Sequence, residues 1–595
     1  MPDPTLNAWP LREAWPATTC CQRYTVRTKG HETMYDRQTD QLIETIRGAV
    51  IGADEAIEGP YGARRVTYAD YTASGRNLSF IEEFLLREVM PFYANTHTEA
   101  SGTGLQTTRY REDARTIIHK AVGGGDEDLV VFTGSGATAA IDKLIGLLNL
   151  RIPKDLDTRY GLSDHIPASE RPVVFIGPYE HHSNEVAWRE TIADVVVIAE
   201  DSDGRIDIAQ LEQELVRYKD RELKMGSFSA ASNVSGIVSD TNAVATLLHT
   251  HGALSFWDFA AAGPYVDINM NLPDLAYKDA IFLSPHKFAG GPGTPGVLVA
   301  KRSLFKNSVP VVPGGGTVAY VNVGRHEFLT DPVHREEGGT PAILESIRAG
   351  LVFQLKEDVG PENIERLEQD FISRAIAQWS ENPHIRVLGN SDAHRLSIVS
   401  FVVQCPDSGY YLHHNLVVAM LNDVFGIQAR GGCSCAGPYG HRLLGIDLPQ
   451  SEKFACQIMA GLEGIKPGWA RINFNYFISE TVFQFLVDAV DWVATHGWKL
   501  LDDYTFNVHT GLWTNIAIRR HRPMRLTDVS FGPGGVSFRS RHMTEPEHAL
   551  SEYIEDANRI LAERRPLDLD IEPFDKAVED LRWFAVPGEL SRASV

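Results

Sequence analysis

The chain has 595 residues, 43% apolar and 23% charged, which supports a large buried core and more than one domain. Lys and Arg number 56 against 78 Asp and Glu, a net charge of −22, which argues against a phosphate-backbone binder, since that needs a basic face. The start, "MPDPTLNAWPLREAWPATTCC", has no basic lead followed by an apolar run, no stretch is long and apolar enough for a membrane span, and six scattered cysteines suit a reducing compartment. The expectation is a cytoplasmic protein with neither membrane nor nucleic-acid partners.

Residues 1–35, with Pro2, Pro4, Pro10 and Pro16, read as an irregular arm. From about 36 to 60, Leu42, Ile43, Ile46 and Val50 fall at helical spacing, and 36–84 is assigned to the N-terminal part of a smaller domain. Across 85–345 strands and helices alternate. "DLVVF" runs through "TGSGAT" into a helix, and "RPVVFIGP", "ADVVVIAE", "ALSFWDFA", "DAIFLSP" and "GVLVAKRSLF" are strands. That pattern predicts an α/β fold with a large doubly wound, mainly parallel sheet. Between 346 and 500 the texture is α+β: "ESIRAGLVFQL" and "NIERLEQDFISRAIAQWS" are helices, as is "HHNLVVAMLNDVFG", while "RLSIVSFVVQ" and "WARINFNYF" are strands. Residues 501–595 form an extension with one helical stretch, "SEYIEDANRILAERR".

Chemistry concentrates at strand ends. Lys287 follows the strand in "FLSPHKFAGG", where partial desolvation favours a neutral, nucleophilic amine able to form a Schiff base; a surface lysine fits the same position. Asp258 ends "SFWD", where a buried carboxylate can keep a pyridinium nitrogen protonated, or can merely cap a helix. Gly134 to Thr138 connect a strand to a helix and suit a phosphate cradle, although a packing turn would look alike. His181 and His182 in "PYEHHSNEVAW" can stack on a ring and move protons; as metal ligands they lack acidic or cysteine partners at ligand spacing, and no metal is expected.

Taken together, these motifs and their order resemble the class V, cysteine desulfurase-like branch of the fold-type I pyridoxal phosphate enzymes, over roughly residues 65–490. The resemblance implies pyridoxal 5'-phosphate as cofactor, Lys287 as its Schiff-base lysine and Asp258 as partner of the ring nitrogen. Gly136, Ala137, Thr138, Ser284 and His286 would cradle the phosphate, His181 would stack on the ring, and Asn233 would lie near the phenolic oxygen. "REEGGTPA" resembles a stretch in which Thr340 reaches the phosphate of the other subunit, implying a homodimer with shared active sites. Arg471 resembles the clamp for the substrate α-carboxylate, and Ala73, Asn95 and His97 lie in segments resembling the substrate pocket. "ARGGCSCAGPYG" matches the selenocysteine lyase-like pattern at Arg430, Gly432, Cys435, Ala436 and Pro438, which places Cys435 on the nucleophile.

Three departures bear on the reaction. Ala261 stands where the family usually has Gln, the loop histidines before the cysteine are absent, and an insert fills the span from Tyr439 to Gly468. The expected function is an L-cysteine desulfurase passing sulfur through a Cys435 persulfide to an acceptor protein, with alanine released and Gly431 and Gly432 as loop hinges. The alternatives are a class V aminotransferase, epimerase or C–S/C–C lyase on another amino acid, with Cys435 a bystander, and an inactive pyridoxal-fold scaffold that binds through its tail. Cys433 can pack, resolve the persulfide, form a redox pair with Cys435 as a strained disulfide, or join Cys435 and His441 at a metal.

Overall fold

The computed structural model describes residues 34–96, 98–406, 408–517, 524–564 and 574–589. At its centre is a seven-stranded sheet in the spatial order 128–132, 297–301, 280–283, 254–258, 224–229, 173–176, 194–197. Val297–Lys301 runs antiparallel to both neighbours and the remaining pairings are parallel, so the expected α/β architecture is the one observed. Strands such as Asp128–Phe132 and Val173–Ile176 are buried along their whole length, as continuous apolar runs covered on both faces must be. Alternate residues serve opposite layers: Val130, Phe132, Val173 and Phe175 join one core, while Leu129, Val131, Val174 and Ile176 join another. The carboxyl ends of the parallel strands therefore meet along one edge, where such sheets bind ligands.

A second, four-stranded antiparallel sheet has the order 385–387, 398–403, 469–473, 430–432. The helices Pro361–Ser380, His414–Phe425 and Glu480–His496 supply buried faces to its core. The insert from Tyr439 to Gly468 contributes most of the helix Gly437–Leu444 and all of the helix Leu448–Met459.

Two expectations change. The helical pattern over 36–60 is a helix only through Ala49; Ala56–Gly59 then pairs with Gly62–Arg65 as a hairpin, its short alternation having been hidden behind the stronger period of the helix. The tail carries its expected helix, Leu550–Glu563, but also the hairpins 504–507/512–515 and 530–532/535–537. Nor is it an appendage. Leu550, Tyr553, Ala557 and Phe584–Val586 are buried in the core of the second sheet, and the N–H of Arg65 donates to the Tyr553 hydroxyl at 2.8 Å. Among the described residues, no helix is long and apolar enough to cross a membrane.

Candidate active site

Strand Asp128–Phe132 leads through a tight turn into the helix Gly136–Leu147. Gly136 has φ +56°, and a Cβ there would meet Ser284 Oγ at 2.9 Å and His286 Nε2 at 3.4 Å, so glycine permits the close approach. The Ala137 N–H donates to Ser284 Oγ at 2.8 Å, and the hydroxyls of Thr138 and Ser183 lie 2.6 Å apart. Backbone N–H groups of a helix start, ringed by hydroxyls and an imidazole, form an anion cradle.

Lys287 ends the short turn Pro285–Lys287 behind strand Ala280–Leu283. Burial pulls its amine down to about 8, against the opposing pull of the Asp258 carboxylate. Asp258 is itself buried at the end of strand Leu254–Asp258 and accepts from the Ala260 N–H at 2.8 Å; desolvation raises its pKa. His181 caps the helix His182–Arg189, with Nδ1 accepting from the Ser183 N–H at 3.1 Å. Burial, and next the Lys287 charge, hold His181 down at about 4, so the ring is neutral at neutral pH; His286 sits at about 4 for the same reasons. Beside it, Glu180 accepts from Asn184 Nδ2 at 2.6 Å, from the Ser229 N–H at 2.8 Å and from the Ser229 hydroxyl at 2.6 Å, while burial lifts its pKa to about 7.

The second sheet brings the remaining groups. Arg430 and Arg471 are register partners on adjacent strands. Asp70 takes both, accepting from Arg430 Nε at 3.0 Å and from Arg471 Nη2 at 3.1 Å, while Arg471 Nη1 donates to the Asn233 carbonyl at 2.9 Å. Beyond Gly432 the chain turns through Ser434 and Cys435, both at positive φ. Three hydrogen bonds hold the loop in this conformation. The His182 N–H donates to the Cys435 carbonyl at 2.8 Å, Asn233 Nδ2 to the Ser434 carbonyl at 2.8 Å, and the Gly437 N–H to His182 Nε2 at 3.0 Å. Gly431 and Gly432 lie in the paired strand; a Cβ on Gly431 would meet Asn415 Oδ1 at 2.5 Å, so that glycine serves close packing. Cys433 is half-buried against the large core, whereas Cys435 is exposed, and neither is in a disulfide.

Ala73, Gly136, Ala137, Thr138, His181, Asn233, Asp258, Ser284, His286, Lys287, Cys435 and Arg471 border one cavity of about 630 Å³. Asn95 and Thr340 do not: they lie elsewhere, bonded to each other at 3.4 Å in an exposed position. His97 is outside the described residues. Ser183, Ser229 and Thr294 also line the cavity without any sequence motif to mark them, and Asp70, which reaches the site through Arg430 and Arg471, sits in the segment "YADYTASG". Among the described residues, no group of three His, Cys, Asp or Glu side chains is placed to hold a metal ion.

Four buried polar atoms of this cavity, Asn233 Oδ1, Thr294 Oγ1, Ser434 Oγ and Arg471 Nε, have no protein partner. Unpaired buried groups are costly, so they point to a polar ligand. The anion cradle, the desolvated amine and the buried carboxylate match the phosphate, aldehyde and ring nitrogen of pyridoxal phosphate, and the residues fit that group.

The model of the aminotransferase class-V family matches residues 67–448. The chain belongs to that family. It is accordingly an enzyme of a pyridoxal phosphate-dependent class. A probable cysteine desulfurase of Halalkalibacterium halodurans is 27% identical over 377 residues, covering 63% of this chain and 84% of the relative. A probable cysteine desulfurase of Halobacterium salinarum is 26% identical over 399 residues, covering 66% and 88%. In three dimensions the chain resembles a cysteine desulfurase from Thermococcus onnurineus, with TM-score 0.57, 22% identity and coverage of 72% of this chain and 95% of that one. A cysteine desulfurase from Escherichia coli gives TM-score 0.55, 21% identity and coverage of 72% and 94%. These two structures share its fold.

Proposed function

We propose that this class-V enzyme is an L-cysteine desulfurase in which Cys435 receives the substrate sulfur. The observation that carries the reading is that Cys435, an exposed residue, lines the same cavity as Arg471, Lys287 and Asp258. Pyridoxal phosphate, when bound, supplies a ring that withdraws electrons from the substrate α-carbon. Asp258 would hold its nitrogen, Gly136–Thr138 with Ser284 and His286 its phosphate, and Lys287 its aldehyde. Arg471, fixed by Asp70, offers its guanidinium fork to the substrate carboxylate. The neutral His181 ring can accept a proton, and Lys287, with a pKa near 8, can accept one or give it up close to neutral pH.

Cys435 acts as thiolate. It attacks the sulfur of L-cysteine, a sulfur–sulfur bond forms, and the carbon–sulfur bond breaks with its electron pair left on the β-carbon. Protonation there completes alanine, and the sulfur remains on Cys435 as a persulfide for an acceptor protein. Names of the curated relatives support the same reaction. By the family resemblance we further propose a homodimer, with Asn95 and Thr340 facing the partner's site, in the cytoplasm. We propose a division into a large domain 85–345, a smaller domain 36–84 with 346–500, and an extension 501–595; the arm 1–35 lies outside the described residues except for its last two.

A second reading, an aminotransferase, epimerase or lyase on another amino acid, is favoured by Ala261, which lines the cavity with a methyl where the family usually has an amide. Release of sulfide and alanine from L-cysteine with a reductant separates the two. Wild type and Cys433→Ala should release both in equal amounts, and Cys435→Ala neither, with cofactor absorbance retained. A cofactor-loaded wild type that releases no sulfide refutes the desulfurase reading.

A further inference from the structure

A second cavity, of about 620 Å³, lies behind the Tyr68–Tyr71 segment, bounded by the first helix and its following turn, by Arg65–Thr67 and by Phe477–Val482, with Glu547 of the tail on its edge. We propose that it binds a small organic anion, a phosphate or carboxylate carried on an aromatic or apolar body, and the assignment rests on no assumption about the reaction. Three guanidiniums line the space. Arg47 donates to the carbonyls of Phe477 at 2.7 Å and Ile478 at 3.3 Å, Arg65 to that of Glu545 at 2.5 Å, and Arg76 to that of Ile51 at 2.8 Å. Each is anchored by backbone oxygen, and among the described residues no ion pair neutralises any of them. Arg65 is more than nine-tenths buried. A buried, unneutralised guanidinium is expensive, and an anion with hydrogen-bonding oxygens offsets that cost.

An independent mark points the same way. Thr67 Oγ1 is buried on this wall without any partner. Three carboxylates also border the cavity, Glu44 and Asp54 on its exposed side and Glu547, which accepts from the Ser479 hydroxyl at 2.6 Å, but among the described residues none forms an ion pair with Arg47, Arg65 or Arg76. The body of the ligand has its own surface. Tyr71 stands edge-on to Tyr68 and to Phe477, with ring centres 4.9 and 5.5 Å apart, and Val50 and Val482 continue the apolar wall. The same segment reaches the active site: the Tyr68 hydroxyl donates to the carbonyls of Asp70 at 3.2 Å and Ser74 at 3.1 Å, and Asp70 holds Arg430 and Arg471. An occupant therefore sits one residue layer behind the side chains that grip the substrate.

The test is calorimetric titration of the pyridoxal phosphate-loaded enzyme with phenyl phosphate and with benzoate. Inorganic phosphate serves as the headgroup alone and benzamide as the neutral body alone. One of the two organic anions should bind once per chain and at least about tenfold more tightly than either control. Arg47→Gln, on the open side of the cavity, and Thr67→Val should each weaken it by about tenfold, the scale of one charge-assisted hydrogen bond, and Arg471→Gln should not. The proposal is overturned if neither anion binds wild type, if the anion that binds is matched by inorganic phosphate or by benzamide, or if its binding is lost in Arg471→Gln and kept in Arg47→Gln. Thermal melts of the variants identify any that fail to fold, and the remaining variant then decides.

Discussion

Arg430 and Arg471 face each other across two paired strands, and a single carboxylate, Asp70, accepts from both. Like charges opposite one another on a sheet repel. Asp70 holds them in register, so that Arg471 is presented to a substrate carboxylate in a fixed pose. Asp70→Asn retains the shape but removes the charge. The KM for the amino acid should rise about tenfold, a change of roughly 1.4 kcal/mol in binding, while kcat changes less. Steady-state kinetics decide; an unaltered KM means Asp70 does not position the clamp.

His182 fastens the cysteine loop at two points, through its own N–H to Cys435 and through Nε2 from Gly437. Burial lowers its pKa, which keeps Nε2 available as an acceptor. His182→Ala removes the Nε2 acceptor but keeps the backbone N–H bond, and should loosen the loop at Gly437, so that iodoacetamide modifies Cys435 several-fold faster while sulfide release slows. His182→Gln, which can still accept, should recover part of both. Equal alkylation rates in wild type and His182→Ala would show that the other bonds suffice.

Lys287 has a folded-state value near 8 against an ordinary 10.5. Below pH 8 the amine is charged in both folded and unfolded chains, and burial costs its full penalty; between 8 and 10.5 the penalty fades. In the apoprotein, Lys287→Met should therefore be the more stable form at pH 7, by up to about 3 kcal/mol. The advantage should shrink as pH approaches 10.5. Urea unfolding of both apoproteins across that range measures it.

Glu180 shifts the other way, from 4.5 up to about 7. The folded protein holds this proton more tightly than the unfolded chain does, so the contribution is fully present below pH 4.5 and is lost as pH rises through 7. Glu180→Gln keeps most of the hydrogen-bonding shape and should flatten that part of the stability curve. A wild-type and variant pair with parallel urea midpoints from pH 4.5 to above 7 would place the proton elsewhere.

The site was legible in the sequence because its groups close short apolar strands. Asp258 follows Phe256 and Trp257, and Lys287 follows Phe282 and Leu283; a doubly wound sheet collects such strand ends at one edge. What escaped was whatever depends on distant pairing. Asp70 and Arg430 are 360 positions apart, and nothing local joins them. The packing demand on Gly431 was equally hidden, since the neighbour that imposes it, Asn415, lies on the helix His414–Phe425. The tail misled by composition: its Arg, His and Pro residues obscure Leu550, Tyr553 and Ala557, which share one buried helical face.

The bond from Arg65 to Tyr553 spans 488 positions, which sets an order of events during synthesis. At about 5–20 residues per second, Arg65 waits roughly 25–100 s for its partner to be made. Over that interval the second sheet lacks the side chains of Leu550, Ala557 and Phe584 that finish its core, and an apolar surface stands open on the growing chain. Completion of that half is thus a late event, which waits for the helix Leu550–Glu563 and for Phe584.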